Sequence, residues 1–221
     1  MDDDEEQPMS AAESLNLIAR QNERTRRELG ASPARLLGVW AFTWLVGWGL
    51  VYLSDDSHAR PLMPGWVAAI VVGVLFVAAI AYSAYYGGRI SRGIRGPSRR
   101  TGAMYGWSWM ISFAALSLIN ISIMNKGALD PHTISLLWSG SSLLLTGMLY
   151  LAGGMLWQDK LQYGFGVWII VSGGASVLVG VPGNFLVLCL AGGGGFLVAA
   201  LVYFVRDLRC RPARTGGRAG T

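Results

Sequence analysis

Six long apolar stretches dominate the sequence, and none of them contains Asp, Glu, Lys, Arg or His. A bilayer core about 30 Å thick needs about 20 apolar residues in a helix. The stretches of adequate length are 36–53, 65–86, 103–124, 134–157, 161–180 and 185–205. Backbone polar groups find no water in hydrocarbon, so a helix, which satisfies them internally, is the expected form. The pattern predicts an all-α polytopic membrane protein with six transmembrane helices.

The distribution of basic residues predicts the orientation of these helices. Charged residues are only 14% of the chain, whereas a soluble domain has about 25%. If the N terminus is cytoplasmic, 16 of the 18 Lys and Arg residues face the cytoplasm, and only Arg60 and Lys126 face outward. Because basic loops stay on the cytoplasmic side, both termini are predicted to be cytoplasmic in a multi-pass cell-membrane protein. The bias also explains the net charge of +5 without a nucleic-acid partner.

The flanking segments divide the chain into three predicted parts. Residues 1–35 form an acidic leader and a short cytoplasmic amphipathic helix, which Ser10 and Glu13 open as a capping box and which extends to about Leu29. Its arginines suit anionic lipid headgroups, although a solvated tail is an equal alternative. Residues 36–205 form the membrane domain, and residues 206–221 form a basic cytoplasmic tail. The first apolar stretch begins too late for a cleavable signal peptide.

Aromatic residues divide into two groups by their position in the spans. Trp40 and Trp157, near span ends, are predicted to lie at the headgroup level, which amphipathic rings prefer. Trp44 and Trp48 lie deeper, and we expect them to pack between helices. These positions support the predicted spans without indicating a function.

Two internal repeats can be drawn, and each depends on few residues. In the first, the odd-numbered spans share a glycine followed by a tryptophan, which predicts three related helical hairpins: Gly38 and Trp40, Gly106 and Trp109, Gly164 and Trp168. In the second, the first span matches the fourth: Trp40 with Trp138, Gly49 with Gly147, and Tyr52 with Tyr150. The second alignment predicts an inverted three-plus-three repeat, a design common among secondary transporters.

Few residues inside the spans could contact a solute. Asn120 is the polar residue we single out, because an amide in hydrocarbon needs either a cross-helix partner, which is the favoured interpretation, or a wet cavity. Gly192, Gly193, Gly194 and Gly195 form an unbroken run in the sixth span. Glycine weakens a helix by up to about 1 kcal/mol relative to alanine, so the run could be a flexible or unwound substrate site. Close helix packing is the favoured alternative.

The sequence does not favour catalysis or a metal site. Ser139 and Ser141 lie at membrane depth, where no His or Lys is available to activate a serine nucleophile. The residues outside the membrane that could bind a metal match no known spacing and fit ordinary loops: Asp55, Asp56, His58, Asp130 and His132. The chain is therefore predicted not to be an enzyme and to need no cofactor. Without intramembrane carboxylates, an ion-driven pump is also disfavoured.

The chain resembles an uncharacterised family of six-helix membrane proteins from high-GC actinobacteria, which are often labelled transporters. The resemblance covers nearly the whole chain and rests on these residues: Glu13, Arg24 to Arg27, Leu37 to Trp40, Trp44, Leu45, Gly47, Tyr105, Gly106, Trp109, Gly153, Gly154, Trp157, and Gly192 to Ala200. It implies membrane transport but brings no catalytic or binding residues. A surface helix before six spans is also similar to the permease subunits of ATPase-driven exporters, in architecture alone.

Two functions therefore stand as hypotheses. The first is a transporter or permease-like subunit of unknown substrate, which as an exporter half would form a homodimer and bind a cytoplasmic ATPase or regulator. The second is a non-transporting scaffold or sensor that binds anionic lipid or a partner through its basic cytoplasmic face, including Arg95, Arg99 and Arg100. We favour the first, mainly because of the family resemblance.

Overall fold

The structure, a computed structural model, describes residues 10, 12–17, 33–92 and 97–209. The leader residues belong to a unit of their own, and the predicted capping box is confirmed there. Ser10 N donates to Glu13 Oε2 at 3.0 Å, and Glu13 N donates to Ser10 Oγ at 3.2 Å. The helix that it opens is described over residues 12–17. Its predicted continuation to Leu29 lies outside the described residues.

Six helices are long and apolar enough to cross a membrane, which confirms the predicted all-α polytopic fold. They are α1 (Pro33–Leu53), α2 (Gly65–Arg92), α3 (Pro97–Lys126), α4 (Pro131–Leu156), α5 (Lys160–Val179) and α6 (Gly183–Arg209). The last one contains the α-helical segment Gly183–Val187, the π-helical segment Leu188–Gly193 and the α-helical segment Gly194–Arg209. Several helices extend past the apolar stretches at their basic ends, because helical hydrogen bonding continues where polar side chains reach water.

Side-chain caps determine where α4 and α5 begin. Asp130 accepts a hydrogen bond from the backbone N–H of Thr133 at 3.1 Å, and Asp159 accepts one from that of Leu161 at 2.9 Å. An Asp cap satisfies backbone donors that have no partner within the helix. Gly180 ends α5 with a φ of 75°, a left-handed conformation that glycine adopts without steric cost.

Most helices pack against the helix that follows them in the sequence. α1 packs on α2, α3 on α4, α4 on α5, and α5 on α6, which returns to pack on α1; within the described ranges, α2 and α3 do not pack extensively on each other. The buried share of the most apolar window is 33% in both α5 and α6, but 11% in α2 and 6% in α3. The core therefore lies among α1, α4, α5 and α6, and α2 and α3 are peripheral.

An aromatic cluster fills this core. Phe196 of α6 lies at its centre, with ring centroids 4.9 Å from Phe165 of α5, 5.6 Å from Trp44 of α1 and 6.3 Å from Tyr150 of α4. In lipid, van der Waals packing rather than water exclusion holds helices together, so interlocking rings contribute much of the stability. The prediction that Trp44 packs between helices is confirmed. Trp40, expected only at the headgroup level, also stacks on Phe196.

Each odd-numbered helix directs a tryptophan towards the helix that follows it. Trp40 of α1 donates its indole N–H to Ser83 Oγ of α2 at 3.1 Å, and Trp168 of α5 donates to the carbonyl oxygen of Ala191 in α6 at 2.9 Å. Trp109 of α3 packs edge-on against an α4 tyrosine, with 5.7 Å between the centroids. The repeated contact favours the alignment into three hairpins.

The inverted alignment agrees less well with the packing. A Cβ placed on Gly49 of α1 would lie 3.5 Å from Cys189 Sγ of α6, whereas Gly147 of α4 faces Ile170 of α5. In the inverted alignment α4 corresponds to α1, and α5 corresponds to α2. Because Gly147 of α4 faces α5, its counterpart Gly49 of α1 should face α2. The two matched glycines therefore contact helices that do not correspond.

Candidate membrane site

Asn120 joins the peripheral helix α3 to α4. Its side chain is almost fully buried, with 1% of the residue exposed. Nδ2 donates to Ser141 Oγ at 3.0 Å, and that hydroxyl donates in turn to the carbonyl oxygen of Leu137 in its own helix. A side-chain hydrogen bond between membrane helices contributes about 0.6 to 2 kcal/mol. The geometry is that of an interhelical clasp.

Asn184 is a second buried amide, and it was not among the residues predicted from the sequence. It is 0% exposed at the start of α6, and its Nδ2 donates to Ser139 Oγ of α4 at 3.2 Å. It fell one residue outside the predicted span, and an amide at a span boundary is the signal that could have identified it. Asn120 of α3 and Asn184 of α6 therefore bind the two α4 hydroxyls on either side of Gly140.

The hydroxyls of Ser139 and Ser141 have structural partners on both sides. Ser139 Oγ donates to the carbonyl oxygen of Ser135 at 2.9 Å, four residues earlier, and Ser141 makes the equivalent bond to Leu137. Such bonds are common for hydroxyl residues in membrane helices. Each hydroxyl also accepts one amide N–H, so its proton and its oxygen are both engaged.

Four buried polar side-chain atoms have no hydrogen-bond partner among the described residues. Two of them, Trp44 Nε1 and Trp48 Nε1, belong to rings at the α1–α6 contact, and the others are Asn184 Oδ1 of α6 and Ser54 Oγ, directly after α1. The ring of Trp48 stacks on that of Phe185, next to Asn184, at 5.9 Å and an interplanar angle of 8°. An unsatisfied polar group in hydrocarbon costs several kcal/mol. The α1–α6 contact therefore offers two donors, and Asn184 offers an acceptor at the start of α6, that a water molecule or a solute could satisfy.

The glycine run at residues 192–195 is helical rather than unwound. An added Cβ would lie 2.6 Å from the Trp44 ring at the first position, 2.9 Å from Leu45 N at the second and 2.5 Å from Trp168 Nε1 at the fourth. At the third position, Gly194, a Cβ would meet no described atom within 4 Å. Three of the glycines therefore permit close contact with α1 or α5, and the third faces open space.

A π-helical segment, Leu188–Gly193, precedes and overlaps the glycine run. Such segments are rare and are frequently found at functional sites. Here the segment coincides with the contact to α1, where Cys189 Sγ donates to the carbonyl oxygen of Leu45 at 3.3 Å. The glycine run predicted only that the helix is weak at this point. The wider π-helical turn depends on how α6 packs against α1, and no local sequence pattern specifies that packing.

Asp159 links α5 to α6 at the end of the bundle that carries most of the arginines. Its Oδ1 caps α5, and its Oδ2 accepts a hydrogen bond from the Tyr203 hydroxyl of α6 at 2.6 Å. Partial burial alone would raise the pKa of Asp159. The Tyr203 hydroxyl, two backbone N–H groups and nearby Arg206 outweigh burial and hold the pKa below its ordinary value.

At the opposite end of the bundle, acidic side chains support local turns. Hydrogen bonds from Ser57 lower the pKa of Asp55, whose Oδ1 accepts the Ser57 N–H at 3.0 Å. The Thr133 hydroxyl likewise donates to Asp130 and lowers the pKa of that carboxyl. No group of three or more His, Cys, Asp or Glu side chains that could hold a metal ion occurs in the part of the chain that the structure describes.

The predicted lipid or partner face is described only in part. Arg99 and Arg100 are exposed in the first turn of α3. They lie at the same end of the bundle as Asp159, because α3 and α5 both begin there. Arg95 lies outside the described residues.

The chain is a multi-pass membrane protein with six apolar helices suited to a lipid bilayer. Two buried amides, a π-helical segment and four buried polar atoms that have no partner in the described part of the chain distinguish its interior. No family model matches the chain, and neither a curated protein nor a solved structure matches it significantly.

Proposed function

We propose that the chain is a transporter or a permease-like subunit of one. The observation that carries the proposal is the α1–α6 contact, where the π-helical segment interrupts α6 and the buried indole N–H groups of Trp44 and Trp48 have no partner among the described residues. Transporters often bind their solutes where a membrane helix is irregular and polar groups are shielded from lipid. The family resemblance supports the same function.

The composition of the spans favours an uncharged solute. All Asp, Glu, Lys, Arg and His residues of the described helices lie in a first or last turn. A charged solute or a coupling proton would need an ionisable partner inside the membrane. The indole N–H groups of Trp44 and Trp48 and the amide oxygen of Asn184 instead match a neutral molecule that has both hydrogen-bond acceptors and donors.

Reconstitution tests the proposal directly. We expect vesicles that contain the purified chain, together with any ATPase that co-purifies from native membranes, to take up members of a panel of neutral polar solutes. The Trp44→Phe/Trp48→Phe variant keeps an aromatic ring at both positions but removes both donors, so uptake should fall at least tenfold. Asn120→Leu, which lies outside the α1–α6 contact, should retain more than half of the uptake per folded molecule. Recovery of a lone chain without any uptake would contradict the proposal.

A scaffold or sensor is the second candidate, supported by the exposed Arg99 and Arg100 at the basic end of α3. In that case the chain should bind anionic vesicles or a cytoplasmic protein from the same cells through this face. Replacing Arg95, Arg99 and Arg100 with Gln should reduce that binding at least tenfold, because each basic residue near an anionic surface contributes about 1 kcal/mol. Unchanged binding would remove the support for this candidate.

A further inference from the structure

A groove of about 560 Å³ runs along the surface of the bundle between α5 and α6, away from the α1–α6 contact. On α5 its wall includes Lys160, Gly164 and Trp168. These residues are spaced four apart, so they lie along one face of the helix. The groove is almost entirely apolar apart from Lys160 at its end.

The α6 wall of the groove has the same regular spacing. Leu190, Gly194, Val198 and Val202 are also four residues apart and line the opposite side. The side chains of Leu190 and Val198 are each 61% exposed, so this wall faces the surroundings rather than the core. In a bilayer, such a surface contacts lipid chains.

Two glycines produce the concave shape. A Cβ on Gly164 or Gly194 would meet none of the described atoms within 4 Å. These positions therefore differ from Gly195, where a Cβ would lie 2.5 Å from Trp168 Nε1. Gly195 permits helix contact, whereas Gly164 and Gly194 leave a hollow on the outer surface.

The length of the groove matches one leaflet. Leu190 and Val202 are twelve residues apart in the sequence, which corresponds to about 18 Å along a helix at about 1.5 Å per residue. Half of a bilayer core that is about 30 Å thick is about 15 Å. The groove thus extends from the basic end of the bundle to about the bilayer midplane, which is the depth of a single acyl chain.

Two cations lie at the basic end of the groove. Lys160 is exposed at the start of α5, and Arg206 follows Val202 by one turn on the same face of α6. The Arg206 guanidinium lies 6.0 Å from the ring centroid of Tyr203. Asp159 is also close, and Arg206 is among the groups that hold its pKa low, so this carboxylate keeps its negative charge. Two cations and one carboxylate give a formal charge of +1 at this end of the groove, so the charge that remains for an external group is positive.

We propose that this groove binds one acyl chain of an anionic phospholipid from the cytoplasmic leaflet, with the lipid phosphate between Lys160 and Arg206. The apolar walls accommodate the chain, and the two cations select the headgroup. The site is separate from the α1–α6 contact, so the proposal does not depend on transport activity.

The test measures lipid binding to the full chain in detergent, by native mass spectrometry with phosphatidylglycerol or phosphatidylcholine as the probe. Gly164→Leu and Gly194→Leu each place a side chain in the hollow and should weaken binding of phosphatidylglycerol at least tenfold. Gly106→Leu, on α3, is the matched control, because a Cβ there also meets no described atom within 4 Å. It should change binding less than twofold.

Charge variants test the headgroup separately and leave the hollow intact. Lys160→Gln/Arg206→Gln should remove the preference for phosphatidylglycerol over phosphatidylcholine, whereas Arg99→Gln/Arg100→Gln, with the same change in net charge, should keep it. Wild-type binding by both groove-filling variants, or an unchanged preference in the Lys160/Arg206 variant, would overturn the proposal. Loss of a dimer with unchanged lipid binding would also overturn it and would assign the groove to a second copy of the chain.

Discussion

The two sides of α4 contact their neighbours by different means. Towards α5, glycines bring the two backbones together: a Cβ on Gly147 would lie 2.9 Å from the carbonyl oxygen of Gly166, and one on Gly154 would lie 2.7 Å from Tyr163 N. Towards α3, longer side chains bridge the gap, through the bond from Asn120 to an α4 serine. The glycine side forms one of the two most extensive helix contacts of the bundle, and the contact of α1 with α6 is the other.

This difference separates two ways of holding helices together in lipid. Close backbone approach makes many small van der Waals contacts along a whole helix, so adding one side chain disturbs many of them at once. A side-chain clasp depends on a few hydrogen bonds, each of modest strength. α4 and α5 should therefore behave as a rigid pair, and α3 as a helix that can separate from α4 at low cost.

The largest expected effect concerns the contact of α4 with α5, which the glycines make possible. Gly154→Leu forces the α5 backbone away from α4 and should lower the free energy of unfolding by about 3 kcal/mol, the upper part of the range for overpacking. Gly174→Leu is the matched control, because a Cβ there meets nothing among the described residues within 4 Å. Unfolding by denaturing detergent measures both variants. Equal stabilities of the two would contradict the interpretation of α4–α5 packing.

A smaller effect is expected on the clasp side. Asn120→Leu removes the bond to Ser141 and should cost about 1 kcal/mol. Hydrogen exchange should increase in α3 and remain unchanged in α5. Ser117→Ala removes only a bond within α3, from Ser117 Oγ to the carbonyl oxygen of Phe113, so it should preserve the wild-type exchange pattern. Faster exchange in α5 would show that the two sides of α4 are not independent.

Asp159 holds α5 beside α6 at the ends of these helices, which is a third kind of helix contact in the bundle. Asp159→Ala removes a helix cap and should cost about 1 kcal/mol at pH 7. The folded pKa of Asp159 is lowered, so its contribution to stability is fully present above the unfolded value of about 4 and is lost as the pH falls through the folded pKa. Melting temperatures in detergent should therefore converge for wild type and variant at acidic pH.

A variant on the other member of the pair checks that prediction. Tyr203→Phe keeps the cap but removes the hydroxyl that donates to Asp159. The folded-state pKa of Asp159 should then move upwards, towards its unfolded value. The acid-dependent loss of stability should still begin near the unfolded value, but it should be smaller and should end at a higher pH than in wild type. An identical acid limb for the two proteins would contradict the role of this hydrogen bond.

The smallest expected effect concerns a second hydrogen bond between α3 and α4. Tyr105 Oη donates to the carbonyl oxygen of Leu149 at 2.8 Å, which is a second bond between α3 and α4. Tyr105→Phe should cost about 0.6 kcal/mol. If the two bonds act independently, its combination with Asn120→Leu should be additive. A double variant that loses clearly less stability than the sum would indicate that the bonds support each other, and one that loses clearly more would indicate that each bond compensates for loss of the other.

The spans and the Asn120 clasp could be predicted because both depend on local chemistry. A run of apolar residues indicates a membrane helix whatever surrounds it, and a buried amide needs a partner. The facing glycines were not predictable in the same way, since Gly147 and Gly154 have a role only when α4 is rotated towards α5. That rotation is set by the whole bundle and leaves no fixed pattern within one helix.

The interior site shows the same limit. The glycine run was identified, but its π-helical turn depends on the positions of Trp44 and Leu45 of a helix distant in the sequence. The unpartnered indoles of α1 also could not be anticipated, because sequence shows the donors and does not show which acceptors lie nearby. Asn184 was missed since a shift of one residue in a predicted boundary moved it outside the membrane.

The closure of α6 onto α1 has a consequence for biogenesis. Helices enter the membrane in the order of their synthesis, so α1 must wait through the insertion of four further spans before its main partner is made. During that interval the indole N–H groups of Trp44 and Trp48 face lipid, water or an assembly factor. Maturation of the bundle is therefore governed by the arrival of its last helix, and a nascent chain stalled before Gly183 would be a natural target for membrane quality control.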